Sequence, residues 1–370
     1  MSMELNLPEV AAALALAILV IGLFVGRYRR RLDLSAFDSP DRAERFSSGA
    51  QPNAEHRAVV DRLAGIAVAL KGAPRSRYLS IMRQYMDGMF ADRVHSASFA
   101  PLDVDGIRGE WVSTPGADRS RRTLYIHGGA FTMGSPRSHR TVSAKFAEIT
   151  GGVVLALDYR LMPEHSRQAG IDDCRAAYRW MLEHGPDGAQ RAAIVFVAGD
   201  SAGGNLTLSL LAWIRDRGLR APDAAVALSP ATDSCFGSPS LKSNLATDVM
   251  LRPVLKKIVE TPRIVLLAAI WLNGRIRPDD PLVSPIYGDL AGLPPLLIHA
   301  SEVEMLLDDS RRYANKAIAA GSPVRLQTWN HVAHVWHLFD PSLSEARQAF
   351  EEIRTFLAEA IRAKAPGGGG

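Results

Sequence analysis

Cysteine is nearly absent from this chain: Cys174 and Cys235 are the only two in 370 residues. Neither has a second cysteine or a histidine at ligand spacing, so a structural metal site is excluded and both read as free thiols. Charge of one sign is equally scarce, with 43 lysines and arginines against 39 acidic residues and a formal net charge of +4. Arg27, Arg29, Arg30 and Arg31 carry four positive charges and Glu4 with Glu9 remove two, so the first 31 residues hold +2 and the rest of the chain +2. That residue of charge is too small for a nucleic-acid surface, and no nucleic-acid partner is expected. No internal repeat is present, and a 47% hydrophobic, 22% charged composition belongs to packed globular proteins rather than disordered ones.

Long apolar runs are missing except at the N-terminus. Residues 10–26, VAAALALAILVIGLFVG, contain no charged side chain. At a rise of about 1.5 Å per residue, seventeen to twenty such residues just cross a hydrocarbon core of about 30 Å. The basic cluster RYRRR follows the run instead of preceding it, which fits an uncleaved anchor better than a secretory signal. By the positive-inside tendency, the N-terminus lies outside and the bulk of the chain in the cytoplasm. The expected partner is therefore a membrane, held through a single N-terminal transmembrane helix.

From residue 32 to about 100 the pattern is charged and helical. Val59, Leu63, Ile66, Leu70 and then Ile81 and Tyr85 recur at three- to four-residue spacing. Beyond residue 101, short β-prone runs alternate with helical stretches: RTLYIHGG, GGVVLALDYR, AAIVFVAGDS, AAVALSP, PPLLIHAS and VRLQTWN. Runs without polar alternation, separated by helices, predict a mostly parallel central sheet with helices on both faces. The rhythm breaks at about 232–282, where the nine-residue run IVLLAAIWL (264–272) is too short to span a bilayer and reads as a buried or lid helix. The organisation expected is an anchor at 1–31, a helical cap segment at 32–100, a catalytic domain at 101–362 carrying a cap insertion, and a flexible tail at 363–370.

The chemistry is concentrated in two glycine-rich turns. In Gly199-Asp200-Ser201-Ala202-Gly203, an apolar strand runs into a tight turn and then an apolar helix, which projects the Ser201 hydroxyl at the positive end of that helix. Some seventy residues upstream, Tyr125-Ile126-His127-Gly128-Gly129-Ala130-Phe131 ends another strand. Acyl transfer builds a negatively charged tetrahedral oxygen, and glycines in a loop present unobstructed N–H groups to it. The expected oxyanion hole is Gly128 and Gly129 together with the N–H of Ala202. His127 is expected to shape this loop.

HGGAF, DYRLMPEH (158–165) and GDSAGGN, in this order, resemble the hormone-sensitive-lipase family of α/β-hydrolases over roughly residues 109–357. The resemblance implies an eight-stranded sheet, a helical cap, no cofactor, and esterase activity on short acyl chains. The chain departs from the family at Ser166-Arg167-Gln168, where a proline-flanked aromatic is usual, and at Ala130, the third position of the usual HGGG. Chain order in this fold places the histidine last. Of His331, His334 and His337, the family pattern selects His334 in HVWHLF as the general base. Aligning SEVEMLLDD on the family's acid motif selects Glu304 as the triad acid, with Asp308 and then Glu302 as alternatives. Asp200, Asp158, Arg160 and Glu164 are expected to brace the oxyanion loop and the serine turn.

The resulting expectation is a serine carboxylesterase acting through an acyl-enzyme on small-molecule esters of short to medium chain length, without metal. A lactonase, deacetylase or amidase could use the same triad, and a non-catalytic, membrane-tethered binding module could use the same scaffold. The sequence leaves a homodimer open.

Overall fold

Strands buried on both faces can satisfy their backbone groups only through one another, so the apolar runs pair side by side. The computed structural model describes Gly26, Tyr28 and residues 30–47, 49 and 51–364. Residues 1–36 form one compact unit and 37–370 another. Within the first, Tyr28, Arg30 and Arg31 are helical. The run expected to be a membrane anchor lies outside the described residues except for Gly26, and among the described residues no helix is long and apolar enough to cross a membrane.

The second unit runs β1 (Glu44–Phe46), α1 (Ala54–Leu70), α2 (Tyr78–Gly88), β2 (Ser98–Val104), β3 (Ile107–Ser113), β4 (Asp118–Ile126), α3 (Arg140–Thr150) and β5 (Gly152–Leu157). It continues with α4 (Arg167–Glu183), β6 (Ile194–Asp200), α5 (Ala202–Asp216), β7 (Ala224–Leu228), α6 (Arg252–Glu260) and α7 (Arg263–Gly274). It ends with β8 (Leu296–Ser301), α8 (Leu307–Ala319), β9 (Val324–Trp329) and α9 (Ser344–Lys364). The nine strands form one sheet in the order β1-β9-β8-β7-β6-β4-β5-β3-β2. The pairings from β1 to β5 along this order are parallel, while β5–β3 and β3–β2 are antiparallel. The six apolar runs are β4 to β9, and β5, β7 and β8 are buried along their whole length. Helices cover both faces, as a mostly parallel sheet requires.

Three features differ from the sequence expectation. The helical segment 32–100 contains a strand: β1 pairs with β9 in register Glu44 with Gln327, extending the eight strands implied by the resemblance to nine. Three residues are too short to show a periodicity of two, and only the tertiary edge of β9 makes them a strand. The apolar run 264–272 does form a helix, α7, but Leu267 is its only buried side chain among those described. Of the two readings the sequence left for this run, a buried or a lid helix, the exposure sets aside the first. Lastly, β2 begins at Ser98, within the segment expected to be helical.

Val59 and Leu63 on α1 are buried in the cluster that includes Val332 and Leu343, and Val59 and Val332 line one cavity, so α1 lies beside the loop that follows β9. Its N-terminus is capped by Asn53, which accepts the N–H of His56, and His56 closes a capping box. Glu55 accepts both the N–H and the hydroxyl of Ser344 at the start of α9. The other segment, 232–282, is held by Asp248, whose carboxylate accepts the N–H of Met305, and by an apolar cluster in which its own Leu241 joins Met305 and Leu306, with Leu251, Leu255 and Val259 packed against it.

Candidate active site

The turn between β6 and α5 places Ser201 at φ 52° and ψ −114°, a conformation that costs a non-glycine residue energy and persists only when its surroundings over-determine it. Here the N–H of Ser201 donates to the Leu228 carbonyl of β7, and a Cβ at Gly203 would collide with the Ile126 carbonyl of β4. The glycine two residues after Ser201 is therefore required by the close approach of helix to strand. The result is a half-buried hydroxyl at the helix N-terminus.

His334 lies on the loop between β9 and α9, with Nε2 2.9 Å from the Ser201 hydroxyl. Its Nδ1 is 2.5 Å from Glu304 Oε2, and the other carboxylate oxygen of Glu304 accepts the N–H of Ser301 at 2.9 Å. His334 and Glu304 are both buried. Burial by itself would lower the His334 pKa, but the charge and hydrogen bond of Glu304 outweigh it and hold the pKa above the ordinary value. The alternative acids are elsewhere. Asp308 accepts the N–H of Ser240, while Glu302 accepts Thr328 Oγ1 and Arg311. His337 is buried against His299 at 3.0 Å, and burial holds its pKa well below the ordinary value. His331 lines the cavity beside His334, edge-on to His56.

The glycine loop corrects one expectation. The N–H of Gly128 donates to Asp200 Oδ1 at 3.0 Å and so is not available to a substrate oxygen. Asp200 also accepts the Tyr125 hydroxyl at 2.5 Å and lies 3.3 Å from His139. Burial would raise its pKa, but His139 and these hydrogen bonds bring it below the ordinary value, so the carboxylate is retained. Among the described residues, the N–H groups of Gly129, Ala130 and Ala202 donate to no protein acceptor. The two loop N–H groups without an acceptor are thus one residue later than the pair the sequence indicated, because the first glycine ties the loop to the serine strand.

The loop is braced from several sides. The Tyr159 hydroxyl donates to the His127 carbonyl, and the two rings stack at 4.4 Å. Glu164 acts through Arg83 of α2, whose guanidinium donates to the carbonyls of Thr132 and Met162. Arg160 instead pairs with Asp173 on α4 and does not reach the loop. Two supports escaped the sequence reading. Asn205, one turn into α5, donates to the carbonyls of Ala231 and Val283, and Arg167 both donates to Asn205 and lies over the Phe131 ring. The Ser166-Arg167-Gln168 departure was the signal, since Ser166 caps α4 and puts Arg167 at its first position.

These positions separate two substitutions. A Cβ at Gly128 would collide with the Asp200 carboxylate, so Gly128→Ala is expected to displace the loop donors and lower kcat by about 100-fold, the cost of losing one such donor. Ala130 has φ 53°, a left-handed conformation costing about 1 kcal/mol. Glycine there relieves that cost but loses about as much to unfolded-state entropy. Ala130→Gly is therefore expected to keep turnover and to stay within about 1 kcal/mol of the parent in stability. Melting temperature and kcat, measured together on both variants, check this.

Beside His334 lies a cavity of about 300 Å³ lined by Val59 and Val60 of α1, Asp248 and Val249 of the 232–282 segment, and Val303 and Ala333. The Ser201 hydroxyl, the His334 imidazole, the Glu304 carboxylate and backbone N–H groups without a protein acceptor thus come together past the C-terminal ends of the parallel strands, and His334 also lines the apolar recess.

A family profile described as the alpha/beta hydrolase fold matches residues 123–338. The chain belongs to the α/β-hydrolases. It is similar to an acetyl-hydrolase of Streptomyces hygroscopicus, 40% identical over 260 residues that cover 70% of this chain and 82% of that one. It also resembles an esterase of Acinetobacter venetianus, 33% identical over 69% of this chain and 80% of that one. A solved esterase from the bacterial hormone-sensitive lipase family aligns with a TM-score of 0.72 at 34% identity, covering 84% of this chain and all of that one. This α/β-hydrolase is hormone-sensitive-lipase-like, and it is a serine ester hydrolase.

Proposed function

We propose that this hydrolase cleaves carboxylic esters of short to medium acyl chain by a two-step acyl transfer. Ser201 attacks the carbonyl carbon while His334 Nε2 takes its proton. The tetrahedral oxygen is held by the N–H groups of Gly129, Ala130 and Ala202 at the positive end of α5. His334 returns the proton to the leaving alcohol, water attacks the acyl-enzyme with His334 again as base, and Glu304 holds the imidazole tautomer and stabilises the imidazolium. The observation that carries this reading is the hydrogen-bonded chain from Ser201 through His334 to Glu304, 2.9 and 2.5 Å long at its two steps, beside unpaired backbone donors.

Short chains are supported by the 300 Å³ cavity, at the lower end of ligand-pocket sizes. The relative named acetyl-hydrolase points the same way, toward a small acyl group. Segments 32–100 and 232–282 would form the cap, since both contribute walls to that cavity. A p-nitrophenyl ester series from acetate to palmitate tests the proposal, with p-nitroacetanilide as the amide counterpart. Preference for acetate or butyrate supports it, a rate on the anilide matching that on the acetate ester makes the enzyme an amidase, and inertness toward every ester overturns the ester reading.

We further propose that residues 1–31 anchor the enzyme, with the catalytic unit on the cytoplasmic side of the membrane. The full chain is expected to stay with membranes through high-salt and alkaline washes, and a chain lacking residues 1–31 to be released. Retention of the shortened chain after both washes would overturn the anchor.

A further inference from the structure

The described residues expose eleven large hydrophobic side chains, and six of them fall within residues 249–272. On α7, Ile264 is 67% exposed, Leu272 56% and Trp271 49%. A soluble surface seldom concentrates apolar side chains in this way unless the patch meets a partner. The stretch 251–277 also contains six basic residues and a single acidic one, Glu260. Glu260 lies 3.8 Å from Lys256, while Arg252, Lys257 and Arg275 enter no ion pair among the described residues.

We propose that the α6–α7 segment is a membrane-docking element that lays α7 into the interface of an anionic bilayer. A twelve-residue helix is about 18 Å long and cannot span a core of about 30 Å, so it lies along the surface. Apolar side chains enter the acyl boundary, Trp271 takes the interfacial position that indole favours, and the basic flanks meet anionic headgroups. A second copy of the chain fits less well, because a two-fold contact through α7 would bring like-charged flanks together. Docking also serves the site. Asp248 and Val249 line the cavity beside His334 just before α6, and Leu255 and Val259 of α6 pack on the cluster of Leu241, Met305 and Leu306, which adjoins Glu304 in the chain. Docking would then bring the site close to esters dissolved in the membrane.

The test is a Leu272→Cys variant of the full chain labelled with an environment-sensitive NBD dye. Cys174 and Cys235 are buried, and burial pushes both thiols up, so the label goes to the new cysteine. Arg354→Cys on α9 is the control, because an N-terminal tether would act equally on both positions. With phosphatidylglycerol vesicles the dye at 272 is expected to brighten several-fold and shift to the blue, less so with phosphatidylcholine alone, while the dye at 354 does not change. Adding Lys257→Gln should weaken the response about fivefold, and salt should weaken it further. An unchanged dye at 272, equal changes at 272 and 354, or a concentration-dependent blue shift at 272 without lipid would each overturn the proposal, the last in favour of self-association. A second readout is the double variant Ile264→Asp, Leu272→Asp, expected to lose hydrolysis of vesicle-embedded esters but to keep its rate on p-nitrophenyl acetate. The fluorescence arm does not depend on esterase activity, so failure of the ester reading and failure of the docking proposal are distinguishable.

Discussion

Replacing Ser201 with alanine is expected to lower kcat on p-nitrophenyl acetate about a million-fold, and His334→Ala by about as much. The two residues act as one unit, since the hydroxyl is a competent nucleophile only while Nε2, 2.9 Å away, can take its proton. The double variant should therefore be hardly worse than either single one. A residual acceleration of about 10³ to 10⁴ over water would remain from the backbone donors and binding. Active-site titration with a fluorophosphonate gives an independent readout, with the parent labelled once at Ser201 and Ser201→Ala not at all. Substantial turnover by the pure Ser201→Ala protein would remove this serine from the mechanism.

The second large effect is expected at the acid. Glu304→Gln keeps the shape of the side chain but can present an N–H to His334 Nδ1, which favours the wrong tautomer and should lower kcat about 10⁴-fold. Asp308→Asn should change kcat by less than about threefold, because Asp308 contacts Ser240 instead of the histidine. The pH profile separates a triad acid from a mere structural support. Neutral His334 accepts the serine proton and protonated His334 cannot, so kcat/KM falls as pH drops through the His334 pKa. Glu304 holds that pKa above the ordinary histidine value of about 6.5. The acid limb of the parent should accordingly lie above that value, and in Glu304→Gln it should move to lower pH. A greater loss in Asp308→Asn than in Glu304→Gln would reverse the assignment.

Much of the sheet was legible because buried parallel strands leave a local signature: the runs ending at Leu157, Asp200, Leu228 and Ser301 are largely apolar without alternation, as is the end of the strand that closes at Ile126. The serine turn was legible for a similar reason, since Gly203 is required by a backbone approach that any sequence with this turn must allow. The loop donors were misplaced because two adjacent glycines look alike in sequence. Only the position of Asp200, on a neighbouring strand, shows that Gly128 is already hydrogen-bonded. Arg83 bracing the loop through Glu164, and Arg167 between Phe131 and Asn205, join segments too far apart in sequence for any spacing rule to connect.

By itself, the sequence determined the fold class and the serine turn, because strand patterning and turn sterics are written in neighbouring residues, while chain order narrowed the histidine to three candidates and the family resemblance selected His334 among them. Tertiary structure decided which carboxylate meets His334, which N–H groups stay unpaired, that residues 44–46 join the sheet edge, and that the apolar helix α7 faces outward. Those outcomes depend on distances between residues far apart in the chain. Hydropathy and spacing report what a side chain prefers, and only packing determines whether the fold has a place for it.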